Sequence, residues 1–248
     1  MKNNMIIYIL ALAVFLIGTI EYIITGIIDM IAVDLGISTS KVGLLVTVFA
    51  LAGAIITPIL IALTINMDRK KLLMSSFGVF IATNGLMFAN LSYEIVLSVR
   101  MIQGASGGMA TVVAMAVATR LVEKERRGRA IGIILMGLSS SLVLGVPIGT
   151  FFSERLGWRV LFIAIGLLSV LPLLIIYKKV PAIKEEDKVT LLNTSFIQLG
   201  FALGSGLGGL VISNTSVLYL NWFGLAAVSM ALLLAIWLFS NKSAPGTP

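Results

Sequence analysis

The chain has 248 residues, of which 58% are apolar and 12% are charged, about half the charged share of an ordinary soluble domain. A soluble fold of this size could not hide so much apolar surface, because its outer shell must be wetted, and the composition therefore excludes that class. The absence of Cys and His removes disulfides, thiolate chemistry and the usual proton shuttle and metal ligand. We therefore expect a membrane protein that is not an enzyme and holds no metal or cofactor.

The net charge of +7 raises the question of a nucleic-acid partner. The charged residues, however, fall in short clusters between long apolar runs, which is typical of the loops that flank membrane spans. The charge pattern therefore predicts a lipid bilayer as the surrounding medium and argues against nucleic acid.

Apolar runs of about 20 residues are long enough to cross the hydrocarbon as helices. Eight such runs predict an all-α polytopic membrane helix bundle, at roughly 6–28, 42–65, 72–90, 94–118, 130–152, 158–177, 190–212 and 217–239. The basic start at Lys2 is compatible with a signal peptide. The first run is too long for that, and no small-residue cleavage site precedes Glu21, so we expect an uncleaved first helix.

The Lys and Arg residues are divided unequally between the two sides of this predicted bundle. One side holds Lys2, Arg69, Lys70, Lys71, Arg120, Lys124, Arg126, Arg127, Arg129, Lys178, Lys179, Lys184, Lys188 and Lys242. The other side holds only Lys41, Arg155 and Arg159, while Arg100 lies inside the fourth predicted span. The positive-inside rule therefore predicts a multi-pass protein with both termini in the cytoplasm.

One charged linker divides the predicted spans into six and two. We predict a six-helix bundle over residues 1–180, a cytoplasmic linker over 181–189, a two-helix segment over 190–240 and a disordered tail over 241–248.

Four local patterns then occur in a fixed order. The first span contains Glu21-Tyr22-Ile23-Ile24-Thr25-Gly26, and the loop after the second reads Asn66-Met67-Asp68-Arg69-Lys70-Lys71. The fourth span contains Arg100-Met101-Ile102-Gln103-Gly104-Ala105-Ser106-Gly107, and the fifth contains Gly145-Val146-Pro147-Ile148-Gly149 before Gly157-Trp158-Arg159. In this order they resemble the major facilitator superfamily, and its drug/proton antiporter branch with arabinose-efflux and purine-ribonucleoside-efflux permeases in particular.

The resemblance implies a secondary active transporter of the bacterial cytoplasmic (inner) membrane. Its partners would be protons and a small-molecule substrate, drug, sugar or nucleoside-like, exported by proton-coupled efflux. Family members have twelve helices in two six-helix bundles. Residues 190–240 resemble family helices eleven and twelve, so that helices seven to ten are missing from the pattern. The alternative is an internally shortened, non-transporting membrane protein or assembly partner derived from such a carrier.

Glu21 and Arg100 are the predicted proton-coupling residues. Ionisable side chains within membrane helices are costly and normally face a cavity or a partner. Glu21 could take up and release a proton, and the resemblance links Arg100 to proton coupling. Both residues lie near the outer ends of their helices. The alternative to a role in proton coupling is therefore that their polar ends merely reach the outer membrane interface.

Asp68, Arg69 and Lys70 form the predicted cytoplasmic gate. Asp68 could meet a helix N-terminus, and the resemblance makes the region near Asn193 its expected partner. Lys70 stands where the family pattern commonly has a small residue. Positive-inside anchoring of the loop is the alternative interpretation.

Gly145, Pro147 and Gly149 form a predicted hinge in the fifth span. Proline removes a backbone donor and glycines permit close approach, so we expect a kinked, tightly packed helix; ordinary packing is the alternative. Thr150 stands where the family pattern has a glycine.

Gly200, Gly204 and Gly208 recur at every fourth residue of the seventh span. This smooth stripe predicts helix–helix packing, either within the chain or between copies in a homo-oligomer.

Overall fold

The computed structural model describes residues 2–64, 66–183, 224–226, 228–230 and 232–233, and all regular structure in these residues is helical. The helices are α1 (Lys2–Gly26), α2 (Ile28–Leu35), α3 (Thr39–Leu63), α4 (Arg69–Leu86), α5 (Tyr93–Arg120), α6 (Arg127–Ser140), α7 (Val146–Leu156) and α8 (Trp158–Lys179). A 3-10 turn over Lys124–Arg126 precedes α6, and a π-helical segment over Ser141–Gly145 joins α6 to α7.

Five helical segments of the described chain are long and apolar enough to cross a membrane: Asn4–Gly26, Thr39–Leu63, Tyr93–Arg120, Lys124–Leu156 and Trp158–Lys179. Helix α4, of 18 residues, is not in this set because its first turn carries Arg69, Lys70 and Lys71. Each of the six runs predicted within residues 1–180 corresponds to helical chain. The predicted all-α membrane bundle is thus confirmed in the part of the chain that the structure describes.

The first loop differs from the prediction. The first span was expected to continue to residue 28, but α1 ends at Gly26 and Ile27 leaves the helical conformation with φ −129°. The chain then forms the separate helix α2, which ends at Gly36 with φ 62°, a left-handed conformation that favours glycine. Ile27 is itself apolar and ends an apolar run, so the break there has no distinct signature, and α2 with its two aspartates was expected to be a loop.

Helix α5 packs against α1, α3, α4 and α6, while α1 also packs against α6, α7 and α8. The core between these helices is mainly aliphatic and aromatic, with Phe77, Phe80 and Phe162 fully buried. Arg100 is the largest fully buried side chain of the described residues. The guanidinium of Arg100 is therefore buried in a core that is otherwise mainly apolar.

The chain divides into two compact units, Met1–Leu203 and Gly204–Pro248. Helices α1 to α8 belong to the first unit. In the second unit, residues 224–226, 228–230 and 232–233 are helical. The predicted packing stripe of Gly200, Gly204 and Gly208, the expected partner near Asn193, and most of the proposed two-helix segment lie outside the described residues.

Candidate functional site: a buried arginine between three helices

Arg100 extends from α5 toward α1 and α3, and its guanidinium is held by carbonyl oxygens of both. Its Nε donates a hydrogen bond to the Leu45 carbonyl at 3.3 Å, and Nη1 donates to the Ile20 carbonyl at 3.0 Å. Nη1 also donates to Oε1 of Gln103, at 3.1 Å. Because hydrogen bonds from a charged donor are about twice as strong as neutral ones, this set offsets much of the cost of burying the cation.

The aromatic ring of Phe49 covers the guanidinium. The Cζ atom of Arg100 lies 4.3 Å from the ring centroid, a distance at which the negative face of the ring attracts a cation. Phe49 is itself buried, so the ring also keeps lipid and water from this side of the charge. The sequence motif contained Arg100, Gln103 and Gly104, but neither Phe49 nor the carbonyls of Leu45 and Ile20 could be recognised as partners.

Glu21 lies beside Arg100, but the contact differs from a simple ion pair. Nη2 of Arg100 donates to the Glu21 backbone carbonyl at 3.5 Å, and the carboxylate attracts the guanidinium electrostatically. Among the described residues, no ion pair or hydrogen bond joins the carboxylate to the guanidinium. The structure therefore brings the two predicted residues together, with Glu21 partly buried as a residue.

The close approach of α3 and α5 creates this arrangement. A Cβ atom at Gly104 would meet the carbonyl oxygen of Phe49, and one at Gly53 would lie 3.3 Å from the Gly104 carbonyl oxygen. Thr57 adds a hydrogen bond from its hydroxyl to the Ala105 carbonyl at 3.4 Å. Small residues at a helix crossing permit this backbone proximity in lipid. The same crossing brings Phe49 against Arg100.

Of the predicted hinge residues, Gly145 lies in the π-helical segment, whereas Pro147 and Gly149 lie in α7. Ser141–Gly145 forms the π turn, and Pro147 follows in the first turn of α7, where its missing N–H is tolerated. A Cβ atom at Gly145 would meet the Thr19 side chain of α1, and one at Gly149 would lie 2.6 Å from Cδ1 of Ile23. The interruption therefore begins before Pro147 and packs directly against α1.

Thr150 departs from the family pattern, and the structure gives a physical reason why this is tolerated. Its hydroxyl oxygen occupies the space beside Gly26, where a Cβ atom on Gly26 would lie 2.5 Å away. The side chain of Thr150 on α7 fits because Gly26 on α1 has no side chain at this contact.

The predicted cytoplasmic gate is connected to α8. Asp68 accepts a hydrogen bond from the backbone N–H of Lys71 at 3.0 Å and so caps its own helix, α4. The backbone N–H of Arg69 donates to the Ile183 carbonyl at 3.0 Å, and Lys70 Nζ lies 5.6 Å from the Tyr177 ring centroid. These contacts join the loop to the last turn of α8 and the residues after it.

A further polar cluster lies at the opposite end of the bundle and was missed by sequence reasoning. Asp34, at the end of α2, forms an ion pair with Arg159, and its carboxylate accepts a hydrogen bond from Trp158 Nε1 at 3.2 Å. The Arg159 guanidinium stacks 4.5 Å from the Trp158 ring centroid. The motif Gly157-Trp158-Arg159 was a usable signal, but Asp34 could not be paired with it without knowledge of α2.

Comparison with known proteins agrees with this architecture. A family model described as the Major Facilitator Superfamily matches residues 10–191. Similar proteins include two from Bacillus subtilis (strain 168). The uncharacterized MFS-type transporter YbcL is 38% identical over 221 residues, which cover 88% of this chain and 57% of that protein. The uncharacterized MFS-type transporter YtbD is 34% identical over 235 residues, which cover 91% and 59%. The chain thus spans somewhat less than three fifths of these curated relatives.

Proposed function

Because this chain belongs to the major facilitator superfamily, we propose that it serves secondary active transport, exporting small molecules in exchange for protons. Family membership points to a transporter and not to an enzyme. Carriers of this kind work by rocking helix bundles around a site near the bilayer midplane. The substrate class that we propose is drug-, sugar- or nucleoside-like. The membrane that we propose is the bacterial cytoplasmic membrane, with both termini on the cytoplasmic side.

The observation that carries the proposal is the buried Arg100 with Glu21 beside it. A permanent charge inside a membrane helix costs several kcal/mol unless it is paired, and such residues usually mark ion or substrate pathways. Here the carbonyl groups of α1 and α3 satisfy the cation. The carboxyl group of Glu21 is therefore free to change its charge without depriving Arg100 of its hydrogen bonds.

A single turn of α1 contacts both the buried Arg100 and the predicted hinge. Ile20 and Glu21 contact Arg100 through their carbonyls, while Thr19 and Ile23 face the hinge glycines of the α6–α7 region. Protonation of Glu21 removes its attraction to Arg100, and we propose that the resulting shift of α1 changes its packing at the π turn. π turns inside helices frequently occur at functional sites.

The test is flux through proteoliposomes that carry the purified chain. An imposed pH gradient and a panel of nucleosides, sugars and cationic dyes would be used. We expect gradient-driven flux that is abolished by Glu21→Gln and by Arg100→Ala. Arg100→Lys should also reduce flux, because lysine keeps the charge and loses the planar set of donors. The matched control is Glu94→Gln, an exposed carboxylate in the first turn of α5, which should leave flux unchanged.

Two results would contradict parts of this proposal. Flux that survives Glu21→Gln with unchanged gradient dependence would exclude this carboxylate as the coupling group. Protein that is folded and inserted, yet moves no compound of the panel, would favour the alternative of a non-transporting relative.

A further inference from the structure

A small polar notch lies between the beginnings of α1 and α6. Asn4 and Tyr8 of α1 form one wall, and Arg126 and Arg129 form the other. Its volume is about 40 Å³, room for roughly three water molecules, which suits a compact polar group and not a drug-sized ligand. The notch is at the end of the bundle where most cations lie.

The lining of the notch is rich in hydrogen-bond donors. Guanidinium groups present planar sets of N–H donors that match phosphate oxygens, and the Tyr8 hydroxyl and the Asn4 amide can donate as well. Arg127, next in the chain, has a buried Nε without an acceptor among the described residues. The chemistry of this region therefore favours an anion with several oxygens.

Neighbouring carboxylates do not neutralise these arginines. Glu123 approaches Arg126 only to 3.9 Å, and the two side chains are 79% and 68% exposed. An exposed pair of this kind contributes little. Lys124 and the exposed Glu125 of the same turn balance each other in charge, so the notch keeps its positive character.

The beginning of α6 adds to the attraction for an anion. The helix has 14 residues and no side chain caps its first turn, although the backbone N–H of Arg127 donates to the Lys124 carbonyl. The positive end of the α6 dipole therefore lies beside the arginines.

An apolar track continues from the notch toward the middle of the bundle. Leu12 is exposed one turn beyond Tyr8 on α1, and Met136 is exposed two turns beyond Arg129 on α6. Ile133, one turn beyond Arg129, lines the notch itself. A soluble phosphate would contact only the notch, whereas a lipid would place its headgroup in the notch and an acyl chain along the track.

We propose that the notch between α1 and α6 binds the phosphate of an anionic phospholipid from the adjoining leaflet. Basic pockets between membrane helices on the cytoplasmic side commonly recognise such headgroups. This inference concerns a lipid site, and it stands whether or not the chain transports a solute.

The test is native mass spectrometry of the full chain in detergent. The ligands would be phosphatidylglycerol and phosphatidylcholine with identical acyl chains. We expect tighter binding of phosphatidylglycerol. Each arginine should contribute about fivefold to its affinity, so Arg126→Gln with Arg129→Gln should weaken binding about 25-fold. The matched control is Lys178→Gln with Lys179→Gln, which removes two charges at the end of α8 and should leave the affinity unchanged. Size-exclusion chromatography would verify that both variants remain folded.

Several results would overturn the proposal. Equal losses in the two double variants would mean that the lipid responds to overall charge and not to the notch. Displacement of the lipid by inorganic phosphate at matched ionic strength would make the notch a site for soluble anions. Should the arginine variant fail to fold, Tyr8→Phe removes only the hydroxyl donor and should still weaken phosphatidylglycerol binding; an unchanged affinity would contradict the proposal.

Discussion

The crossing of α3 and α5 at Gly104 can be tested by adding a single methyl group. In Gly104→Ala the new Cβ would meet the carbonyl oxygen, carbonyl carbon and Cα of Phe49. These are backbone atoms of a helix and cannot rotate away. The two helices would have to separate, and Phe49 would then withdraw from the guanidinium of Arg100, which it contacts at 4.3 Å.

The expected magnitude follows from two opposing effects. Overpacking a filled core costs about 1–3 kcal/mol, and alanine in place of glycine in a helix interior recovers up to ~1 kcal/mol. We therefore expect Gly104→Ala to lower the free energy of unfolding by about 1–2 kcal/mol. Gly43 on α3 is the matched control, because a Cβ atom there has nothing within 4 Å. Gly43→Ala should be neutral or stabilising by up to ~1 kcal/mol.

The assay is unfolding of the purified chain by increasing SDS in mixed micelles, followed by tryptophan fluorescence. Both variants would be compared with the unmodified chain at equal protein and lipid concentrations. Equal stability of the two alanine variants would refute the close crossing. A stability loss in Gly104→Ala with unaltered transport would instead show that the position of Phe49 is not important for the role of Arg100.

Three further predictions concern contacts at other helix ends and crossings. Asp34→Ala should lower the free energy of unfolding by about 1–3 kcal/mol, because it leaves the Trp158 indole N–H without its acceptor; Asp34→Asn should cost less, and equal losses in SDS titration would contradict the hydrogen bond. Asp68→Ala should destabilise by about 1 kcal/mol through loss of the α4 cap, whereas Asp68→Ser should retain most of the stability, as measured by the same titration. Gly26→Ala should be destabilising alone and less so together with Thr150→Ala, with a coupling of about 0.5–3 kcal/mol in a double-mutant cycle; additive effects would exclude the contact.

Among the described residues, the helices were predictable because a membrane span is a long run of apolar residues, and the hydrocarbon thickness fixes the number of turns needed to cross it. An interruption was expected at Gly145, Pro147 and Gly149, because proline acts within its own helix, and the π turn lies just before Pro147. The break at Ile27 was not predictable in this way, because Ile27 is as apolar as its neighbours. The position of the π turn, before Pro147, depends on how Gly145 packs against Thr19.

The candidate site was predictable in its residues and not in its geometry. Glu21 and Arg100 attract attention because charge is rare within membrane spans. Their partners are backbone carbonyls, which every helix contains, and one of the chain's 12 phenylalanines, so composition does not show which groups are used. Asp34 illustrates the same limit, since its partner Arg159 lies far along the chain.

The way in which Arg100 is held has a consequence for coupling that a simple ion pair would not have. If the Glu21 carboxylate were the main partner of the guanidinium, neutralising it would leave a buried charge unpaired and would destabilise the fold strongly. Here the carbonyls of Ile20 and Leu45 retain the guanidinium whatever the charge of Glu21. Glu21→Gln should therefore unfold at nearly the same SDS concentration as the unmodified chain while losing gradient-driven flux. Arg100→Ala should lose both, because Gln103 and the surrounding packing lose their central partner. A proton-driven switch requires a carboxyl group that can be protonated or ionised while the fold remains stable.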